Sequence, residues 1–588
     1  MGRGISNLQN EPVVIVGGGP VGLALAGDLG QRGIASILLE QSDGAILQPK
    51  MDGVNVRTME FCRRWGIRDW VRNCDYPRNY PQDMVYLTSF NGFELGRESF
   101  ATPSGGAEER LLAVSPEVRV RCPQNLFDPI LRRFAEAQTK ATLRYRCKFL
   151  SFEQDDAGVL VQAEDLETDR KISIRGSFLV GCDGGASSVR EQLGIAMEGP
   201  GSLTWTTNVI FRCTNLPALH NKQLGYRHIF IGPEGTWGTI VAINGRDQWR
   251  LSIIGTQEPR KMSEAEVRAA INRAVGQEFE YEIVSTVPWV RRELVAANYG
   301  VRRVFLAGDS AHVMSPTGGF GMNTGIADAV DLSWKLAAVL AGWGSTGLLN
   351  SYEVERRPVA QRAAREASGN LLRTMSPGSN PRLLERGLEG ALLRYAVGRQ
   401  FSATMLREWY KLGIDLGYTY EQSPICWAEE IADDSQSDHA AITASAHREL
   451  HKLALHKAEG YDVKASWEEL PPETVMLYHQ NARPGSRAPH VWMAEGRSTL
   501  DMFGPDFTLL RLGKRPPSGA ALVAAAASRR VPFKVVDCRH TEVARAYERA
   551  LVLVRPDGHV AWRGDDLPDL GSEALIDRVR GIAAPQFL

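Results

Sequence analysis

The sequence predicts an α/β protein that combines a Rossmann-like dinucleotide-binding domain with an antiparallel sheet and a smaller C-terminal α/β domain. Three glycine-centred segments, at residues 17–22, 181–190 and 304–309, predict the first domain, because each contains or follows a short apolar run. Such runs are typical of strands buried on both faces of a parallel sheet. Alternating apolar and polar side chains over residues 203–255 predict the antiparallel sheet.

The first segment has the composition of a phosphate-binding turn. The strand pattern Val13–Val16 precedes Gly17 for a tight turn, Gly19 for close approach of a pyrophosphate and Gly22 for helix–strand packing. The helix that follows would present free N–H groups to the phosphates. Glu40 ends the next apolar strand about 20 residues later, where a carboxylate accepts from a ribose 2′-hydroxyl. This spacing predicts FAD or NAD and disfavours NADP.

The third segment favours FAD over NAD. A strand at 304–307 leads to Asp309, which is placed to hydrogen-bond the ribityl hydroxyls of a flavin. The loop at 310–321 is rich in small residues, so a planar ring can lie against its backbone. A helix is predicted over 322–340, and its N-terminus directs N–H groups and partial positive charge toward that ring.

These residues also carry a resemblance to a known family. The chain resembles the class A flavoprotein aromatic monooxygenases of the p-hydroxybenzoate hydroxylase fold in G-x-G-x-x-G from Gly17, D-G-x-x-S-x-V-R from Asp183, and a long pattern over 308–329. Residues 52–60 resemble the phenol hydroxylase branch. The resemblance implies a Rossmann-like FAD-binding domain of the GR2 type, with NAD(P)H binding transiently near Asp183. The cofactor-binding residues that it implies are Gly17, Gly19, Gly22, Glu40, Gln124, Asp183, Asp309, Gly319, Met322 and Asn323.

The resemblance further implies hydroxylation of an aromatic ring. In this family NAD(P)H reduces FAD, O2 adds to give a C4a-hydroperoxyflavin, and oxygen is transferred to a phenolate. The reaction needs a base for the phenol and a site that excludes water. Asp52 is the candidate base, because some phenol hydroxylases carry an aspartate at the matching position. The alternative is that Asp52 caps a helix that begins near Val54.

The antiparallel sheet, together with Met84–Leu87, is expected to form the substrate wall. Arg246 or Arg250 would provide polar contacts on this wall, and Arg250 is assigned with Asp52 as catalytic. Phenol hydroxylases often carry a tyrosine where Ser252 stands, which weakens a direct transfer of phenol as the substrate. The expected substrate is therefore a small phenolic or polyketide-like aromatic.

Three further features are assigned structural roles. Arg57 is expected to contact Glu60 or the cofactor domain, and His312 is expected to order the flavin loop through a side-chain hydrogen bond. His447 and His451 have the i, i+4 spacing of a metal pair but no accompanying acid motif, which favours a solvated helix face and no metal site.

Composition shifts and the resemblance together predict the domain order. The C-terminal part resembles the thioredoxin-like domain of larger family members, and its lone Cys538 indicates a structural role, with a homodimer interface as an option. Residues 353–358 are expected to form a solvated helix end. The predicted units are a FAD-binding domain at 10–80, 105–200 and 295–375, a substrate-binding domain at 81–104 and 201–294, a helical connector at 376–464, and the thioredoxin-like domain at 465–588.

Composition narrows the class of protein. The 68 Lys and Arg against 69 Asp and Glu give a net charge of -1, which provides no global attraction to nucleic acid. No apolar run approaches the ~18 residues of a membrane span, and the 8 scattered cysteines indicate reduced thiols in a cytoplasmic enzyme. The alternatives to a hydroxylase are a flavin dehydrogenase or Baeyer–Villiger-type oxygenase on the same fold, and a non-catalytic FAD-binding scaffold.

Overall fold

The structure is a computed structural model, and it describes residues 11–46, 48–102, 109–256, 258–427, 429, 470–567 and 571–582. It confirms the predicted α/β class, with a Rossmann-like sheet, a large second sheet and a thioredoxin-like C-terminal sheet. His447 and His451 lie outside the described residues, as does much of the predicted connector at 376–464. The residue boundaries of the domains stay a prediction.

The first sheet has six strands and is built around Val13–Val16, whose side chains are at most 5% exposed. A strand buried on both faces is apolar throughout, which explains this four-residue run. Its carboxyl end and those of its parallel neighbours point to one edge. In spatial order the strands are Gly300–Val301, Val304–Leu306, Phe178–Gly181, Val13–Val16, Ser36–Leu39 and Ala141–Arg144, of which only the first is antiparallel.

Three helices pack on or beside this sheet. Pro20–Gln31 follows the first glycine turn directly, and Gly321–Leu340 begins one residue before the predicted start at 322. Thr346–Thr374 continues through Pro358 and packs against Gly321–Leu340.

The expectation of a solvated helix end at 353–358 is wrong for its central residues. Glu355 and Arg356 are 2% and 0% exposed. Arg356 donates to Asp328 at 2.7 Å, and Glu355 accepts from Arg555 of the C-terminal domain at 2.6 Å. The charges are buried because distant segments supply their partners.

The large sheet has eight strands and lies over the carboxyl edge of the first sheet. The predicted antiparallel pattern is found in most of it, but Met84–Leu87 joins Arg227–Gly232 in parallel. More than a hundred residues separate these two strands, so no hairpin dictates their relative direction. In spatial order the strands are His312–Val313, Glu282–Ala296, Met197–Arg212, Gln248–Thr256, Gly235–Ala242, Arg227–Gly232, Met84–Leu87 and Glu94–Glu98.

The C-terminal domain has the strand order of a thioredoxin-like fold. Phe507–Leu512 pairs in parallel with Phe533–Cys538 on one side and antiparallel with Leu551–Val554 on the other, and Val560–Gly564 completes the sheet. The helices Ala520–Ser528, Thr541–Tyr547 and Ser572–Val579 belong to this unit.

The remaining elements are short hairpins and connecting helices. The further strands are Gly53–Val54 with Val120–Arg121, Cys147–Asp155 with Gly158–Asp165 and Arg170–Gly176, and Trp492–Ala494 with Arg497–Ser498. The further helices are Val56–Arg64, Arg68–Arg72, Glu109–Leu112, Gln124–Glu136, Ser188–Gln192, Glu264–Val275, Leu388–Trp409, Leu412–Asp415 and Pro472–Met476, with 3-10 turns at Leu216–Leu219, Gly308–Ser310, Pro381–Leu384 and Thr499–Met502.

Buried ion pairs join the C-terminal domain to the FAD-binding part. Glu60 accepts from Arg57 at 2.8 Å, as expected from the sequence, and from Nε of Arg487 at 2.9 Å. Burial raises the pKa of Glu60, but Arg487 and Arg57 lower it by more, to about 2. The carboxylate is therefore ionised at neutral pH, and the two domains share one charged cluster.

The described residues contain neither a membrane-spanning helix nor a metal-binding cluster. None of their helices combines the length and apolar character of a membrane span. Within the same residues, no group of three or more His, Cys, Asp and Glu side chains could hold a metal ion.

Candidate active site

A cavity of about 1200 Å³ lies between the carboxyl edge of the first sheet and one face of the large sheet. In open α/β sheets, ligands bind at this edge. The residues that follow three adjacent strands all line the cavity, namely Gly19, Cys182 with Gly184, and Asp309. The large sheet contributes every second residue along several neighbouring strands. Such residues point to the same face of a sheet.

The first glycine turn leaves room for a pyrophosphate. A Cβ on Gly17 would lie 2.3 Å from the carbonyl oxygen of Cys182, and one on Gly22 would lie 2.0 Å from the carbonyl oxygen of Gly17, so both positions exclude a side chain. A Cβ on Gly19 would meet no protein atom within 4 Å. Gly19 precedes Pro20–Gln31 and has no side-chain cap, so the helix N-terminus is free to bind phosphate. This cradle fits the predicted dinucleotide.

Glu40 lies at the end of Ser36–Leu39, beside the turn. Its Oε2 accepts from the backbone N–H of Gly18 at 2.7 Å and its Oε1 from that of Ser42 at 2.8 Å. Each oxygen keeps a further acceptor position. The carboxylate is therefore oriented by the backbone and can still accept from a ribose hydroxyl.

Asp309 and the start of Gly321–Leu340 line the part of the cavity where the sequence predicts the flavin ring. The surrounding protein desolvates the Asp309 carboxyl group and raises its pKa, although the side chain is open to the cavity. The Asn323 side chain is occupied, since its Oδ1 accepts from Thr58 at 2.8 Å and its Nδ2 donates to the Gly319 carbonyl at 2.8 Å. Met322 and Asn323 are thus left to offer backbone N–H groups at the helix N-terminus.

Two predicted cofactor residues use their side chains to hold loops. Gln124 Oε1 accepts from the Lys50 N–H at 2.9 Å, and its Nε2 donates to Asp128 at 3.0 Å. Asp183 accepts from the hydroxyls of Ser187 at 2.6 Å and Ser310 at 3.0 Å. Direct contact of these two side chains with FAD stays a prediction.

Asp52 and Arg250 form an ion pair inside the cavity. Arg250 Nη2 donates to Asp52 Oδ2 at 2.7 Å, and its Nη1 donates to the Pro49 carbonyl at 2.9 Å. Asp52 Oδ1 is buried and accepts no hydrogen bond of ordinary geometry from the described residues, although the Tyr226 hydroxyl lies near enough to help lower the pKa of Asp52. The capping alternative is wrong, because the helix begins at Val56 and its N-cap is Asn55, which accepts from the Thr58 N–H.

The structure separates the two arginines proposed for the substrate wall. Arg246 is half exposed, pairs with Asp75 at 2.6 Å, and does not line the cavity, whereas Arg250 does. Ser252 also faces the cavity and donates to Asn208 at 2.7 Å. His312, as expected, is buried and bonds Asp328 at 2.7 Å, which orders its loop.

Sequence reasoning missed Arg121, Tyr226 and Arg291. The guanidinium carbon of Arg121 lies 3.3 Å from the centre of the Tyr226 ring. Both residues lie close enough to Asp52 to affect its pKa. A phenol side chain therefore lies near Asp52, and it comes from the residue just before the strand Arg227–Gly232, not from position 252. Arg291 could have been found by extending the alternating pattern of the large sheet along Glu282–Ala296, which places it on the same face as Trp289.

Comparison with known proteins decides the family. A model described as FAD binding domain matches residues 10–367, which is more than half of the chain, and one described as aromatic-ring hydroxylase, C-terminal, matches 481–583. The chain belongs to the class A flavoprotein aromatic hydroxylases. As an enzyme of this family, the hydroxylase is a FAD-dependent monooxygenase, for which NAD(P)H is the typical co-substrate.

Relatives resemble the hydroxylase over nearly its whole length. A putative polyketide hydroxylase from Streptomyces halstedii is 32% identical over 96% of this chain and 95% of its own. The 2,4-dichlorophenol 6-monooxygenase of Delftia acidovorans is 30% identical over 94% of each chain. The solved structure of the rebeccamycin biosynthetic enzyme RebC with reduced flavin has a TM-score of 0.84 and 36% identity, and covers 97% of this chain and 99% of its own.

Replacing Gly19 by alanine is expected to weaken FAD binding without unfolding the hydroxylase. The added methyl meets no protein atom, but it projects where the pyrophosphate must approach. Overpacking by one methyl costs about 1–3 kcal/mol, so the Kd for FAD should rise roughly fivefold or more. Fluorescence titration of apoenzyme with FAD measures this change. Gly504→Ala, at another open glycine, is the matched control, and an unchanged Kd in Gly19→Ala would contradict the assignment.

Proposed function

We propose that the hydroxylase acts on a phenolic substrate larger than a single ring, with Asp52 accepting the hydrogen bond of the substrate hydroxyl. The observation that carries this proposal is the Asp52 carboxylate in the cavity wall, whose Oδ2 is held by Arg250 while Oδ1 has no hydrogen bond of ordinary geometry, although the neighbouring Tyr226 hydroxyl helps to lower the pKa of Asp52. A buried carboxylate oxygen without a hydrogen bond is costly, so the site favours a ligand that donates one.

The charges around Asp52 support this role. Burial raises the pKa of Asp52, but the neighbouring charges of Arg250 and Arg121 lower it by more, so the carboxylate is ionised at neutral pH. An ionised carboxylate accepts from a phenol O–H and gives the phenol oxygen partial phenolate character, so that this oxygen donates more electron density into the ring. The ring carbons thereby become more nucleophilic, which is what attack on an electrophilic oxygen requires.

FAD, reduced by NAD(P)H, supplies that electrophilic oxygen from O2 when bound. The chain contributes Asp309 and the N-terminus of Gly321–Leu340 to hold the flavin ring, and the large sheet to exclude water from it. Asp52 and Arg250 then orient the substrate hydroxyl from the sheet side.

The size of the cavity supports a polycyclic substrate. Pockets for drug-sized ligands measure about 300–1000 Å³, and this cavity measures about 1200 Å³ before the flavin ring occupies its share. The similarity to a putative polyketide hydroxylase points to the same class of fused aromatic rings. A phenol alone would leave much of this space to water.

We also propose a cytoplasmic location and a homodimer. All 8 cysteines are free thiols, which is the state that a reducing compartment maintains. Trp492, Val523 and Val535 are exposed apolar residues of the C-terminal domain and are candidates for a contact between two copies. Sedimentation velocity of the FAD-loaded enzyme tests the dimer, and a monomeric mass at micromolar concentration would contradict it.

The proposed function is tested by supplying the FAD-loaded enzyme with NADH or NADPH and a panel of mono-, bi- and tricyclic phenols. The expected result is faster NAD(P)H oxidation with bicyclic or tricyclic phenols and a product that is one oxygen atom heavier. A ring-expanded ester or lactone would support the Baeyer–Villiger alternative. FAD binding with no stimulation by any phenol and no oxygenated product would overturn the proposal.

A further inference from the structure

Arg291 is a buried cation in the cavity wall whose neighbours leave its charge uncompensated. It is 5% exposed and lies on Glu282–Ala296, facing the cavity. Its guanidinium donates to the hydroxyls of Thr206 at 2.9 Å and Ser315 at 3.4 Å, which are both neutral. Within the described part of the chain, no carboxylate forms an ion pair with it.

The other two arginines on this sheet face each have a carboxylate. Arg250 pairs with Asp52 at 2.7 Å, and Arg227 pairs with Glu408 at 2.7 Å. The three arginines of this sheet face therefore have two ion-paired carboxylates between them, and Arg291 is the arginine of the three without one. Burying an unpaired charge is destabilising, so packing alone does not explain an arginine at this position.

The charges that act on Arg291 do not neutralise it. Burial lowers the pKa of Arg291 first, Arg227 and Arg250 lower it further, and Glu408 alone opposes them, which leaves it at about 10. The guanidinium is thus still cationic at neutral pH. Glu408 Oε1 accepts from Arg227 and from the Gly318 N–H at 3.2 Å, and neither Glu408 oxygen forms an ion pair with Arg291 among the described residues.

We propose that Arg291 is the recognition site for a carboxylate carried by the aromatic substrate. The inference rests on the proposed function, because it deepens the substrate class of the same cavity. A guanidinium fixed by two hydroxyls keeps N–H groups in a planar fork that matches a carboxylate. Thr206 belongs to the sheet and Ser315 to the flavin loop, so an anion bound here is held where the substrate wall meets the flavin loop.

A purely structural role for Arg291 makes a different prediction. If the guanidinium only holds the flavin loop through Ser315, its loss would weaken FAD binding and affect charged and neutral substrates equally. If it binds a carboxylate, its loss would remove the preference for charged substrates. The comparison of an acid with its isosteric amide separates these two cases.

The test measures binding of 1,8-dihydroxyanthraquinone-3-carboxylate and its neutral 3-carboxamide to the FAD-loaded enzyme by equilibrium dialysis. The expected result is that the acid binds at least about tenfold more tightly than the amide, as a charge-assisted pair in a dry site allows. Arg291→Met should abolish this preference, and Arg291→Lys should retain part of it. Equal binding of acid and amide, or binding of neither, would overturn the proposal.

Arg246→Met is the matched control, since Arg246 is an arginine of the same sheet region that pairs with Asp75 outside the cavity. It should keep the full preference for the acid. A preference that survives Arg291→Met in folded, FAD-loaded enzyme would also overturn the proposal. If Arg291→Met does not fold, the ratio of acid affinity to amide affinity is compared between the wild type and Arg291→Lys. An unchanged ratio in Arg291→Lys would contradict a contact that depends on the planar guanidinium.

The same samples distinguish failure of the carboxylate site from failure of the proposed function. Preferential binding of the acid without an oxygenated product would leave the anion site standing and contradict hydroxylation of this ring system. Hydroxylation of the amide at least as efficient as that of the acid would support the function and contradict the anion site.

Discussion

Replacing Asp52 by alanine is expected to lower coupled hydroxylation by roughly 10²–10⁴-fold, the range typical of a lost proton acceptor. FAD should remain bound, because Asp52 lies on the substrate side and touches none of the glycine turn. Without the carboxylate the substrate hydroxyl loses its acceptor and the ring is less activated. Oxidation of NAD(P)H should then yield hydrogen peroxide in place of product. Product and peroxide per NAD(P)H, normalised to bound FAD, measure the effect.

Asp75→Ala is the control for this experiment, since Asp75 is an exposed aspartate that pairs with Arg246 outside the cavity. It should leave the product yield unchanged. Asp52→Asn separates charge from hydrogen bonding and should also lose coupling, because an amide is not ionised. An unchanged yield in Asp52→Ala would contradict the catalytic role.

The pH dependence follows from the direction of the pKa shift. Because the folded-state pKa of Asp52 is depressed, the ionised form persists as the pH falls and is lost only below the ordinary carboxyl value of about 4. Asp52 should therefore contribute no acid limb to product formation between about pH 5 and 8. A limb in this window that disappears in Asp52→Asn would contradict the charge assignment.

Replacing Arg555 by methionine is expected to destabilise the protein by about 3–5 kcal/mol, the cost of breaking a buried charge cluster by removing one partner. Arg555 is 1% exposed and donates to Glu355 at 2.6 Å, Asp557 at 2.6 Å and Asp331 at 3.2 Å. Lys335 would be left to compensate Asp331 and Glu355. The change in free energy of unfolding, from urea titration of the FAD-loaded protein, measures this.

Arg545→Met is the matched control on the same domain, because its partner Glu542 is exposed and so is Arg545 itself. Exposed pairs contribute about 0–1 kcal/mol, so little change is expected. If Arg555→Met and Arg545→Met both changed the free energy of unfolding by less than about 1 kcal/mol, the buried charge cluster would not stabilise the attachment of the C-terminal domain.

Local sequence patterns were sufficient to predict the part of the cavity formed by the glycine turn, Glu40 and the helix Gly321–Leu340. The run Val13–Val16, the glycines after it and Glu40 lie within one continuous unit, so their spacing already encodes the turn. The helix at Gly321–Leu340 was likewise readable from its apolar spacing. The fold class and the family follow from these segments.

The features that sequence missed depend on partners far away in the chain. Glu355 is buried because Arg555, 200 residues later, comes to pair with it. Tyr226 lies near Asp52 and precedes the strand Arg227–Gly232, whereas the family pattern places a tyrosine at position 252 of another strand. The charge surplus at Arg291 is visible only once Arg227, Arg250 and their carboxylates are seen on one sheet face.

The central claim, that this chain transfers one oxygen atom from O2 to a phenolic ring, is tested most directly by turnover under ¹⁸O2. The FAD-loaded enzyme, NAD(P)H and the phenol that most stimulates oxidation would be used, and product would be examined by mass spectrometry. The account predicts a hydroxylated product with one ¹⁸O atom per molecule, and its loss in Asp52→Ala. An oxidised product without ¹⁸O would contradict it and identify a dehydrogenase.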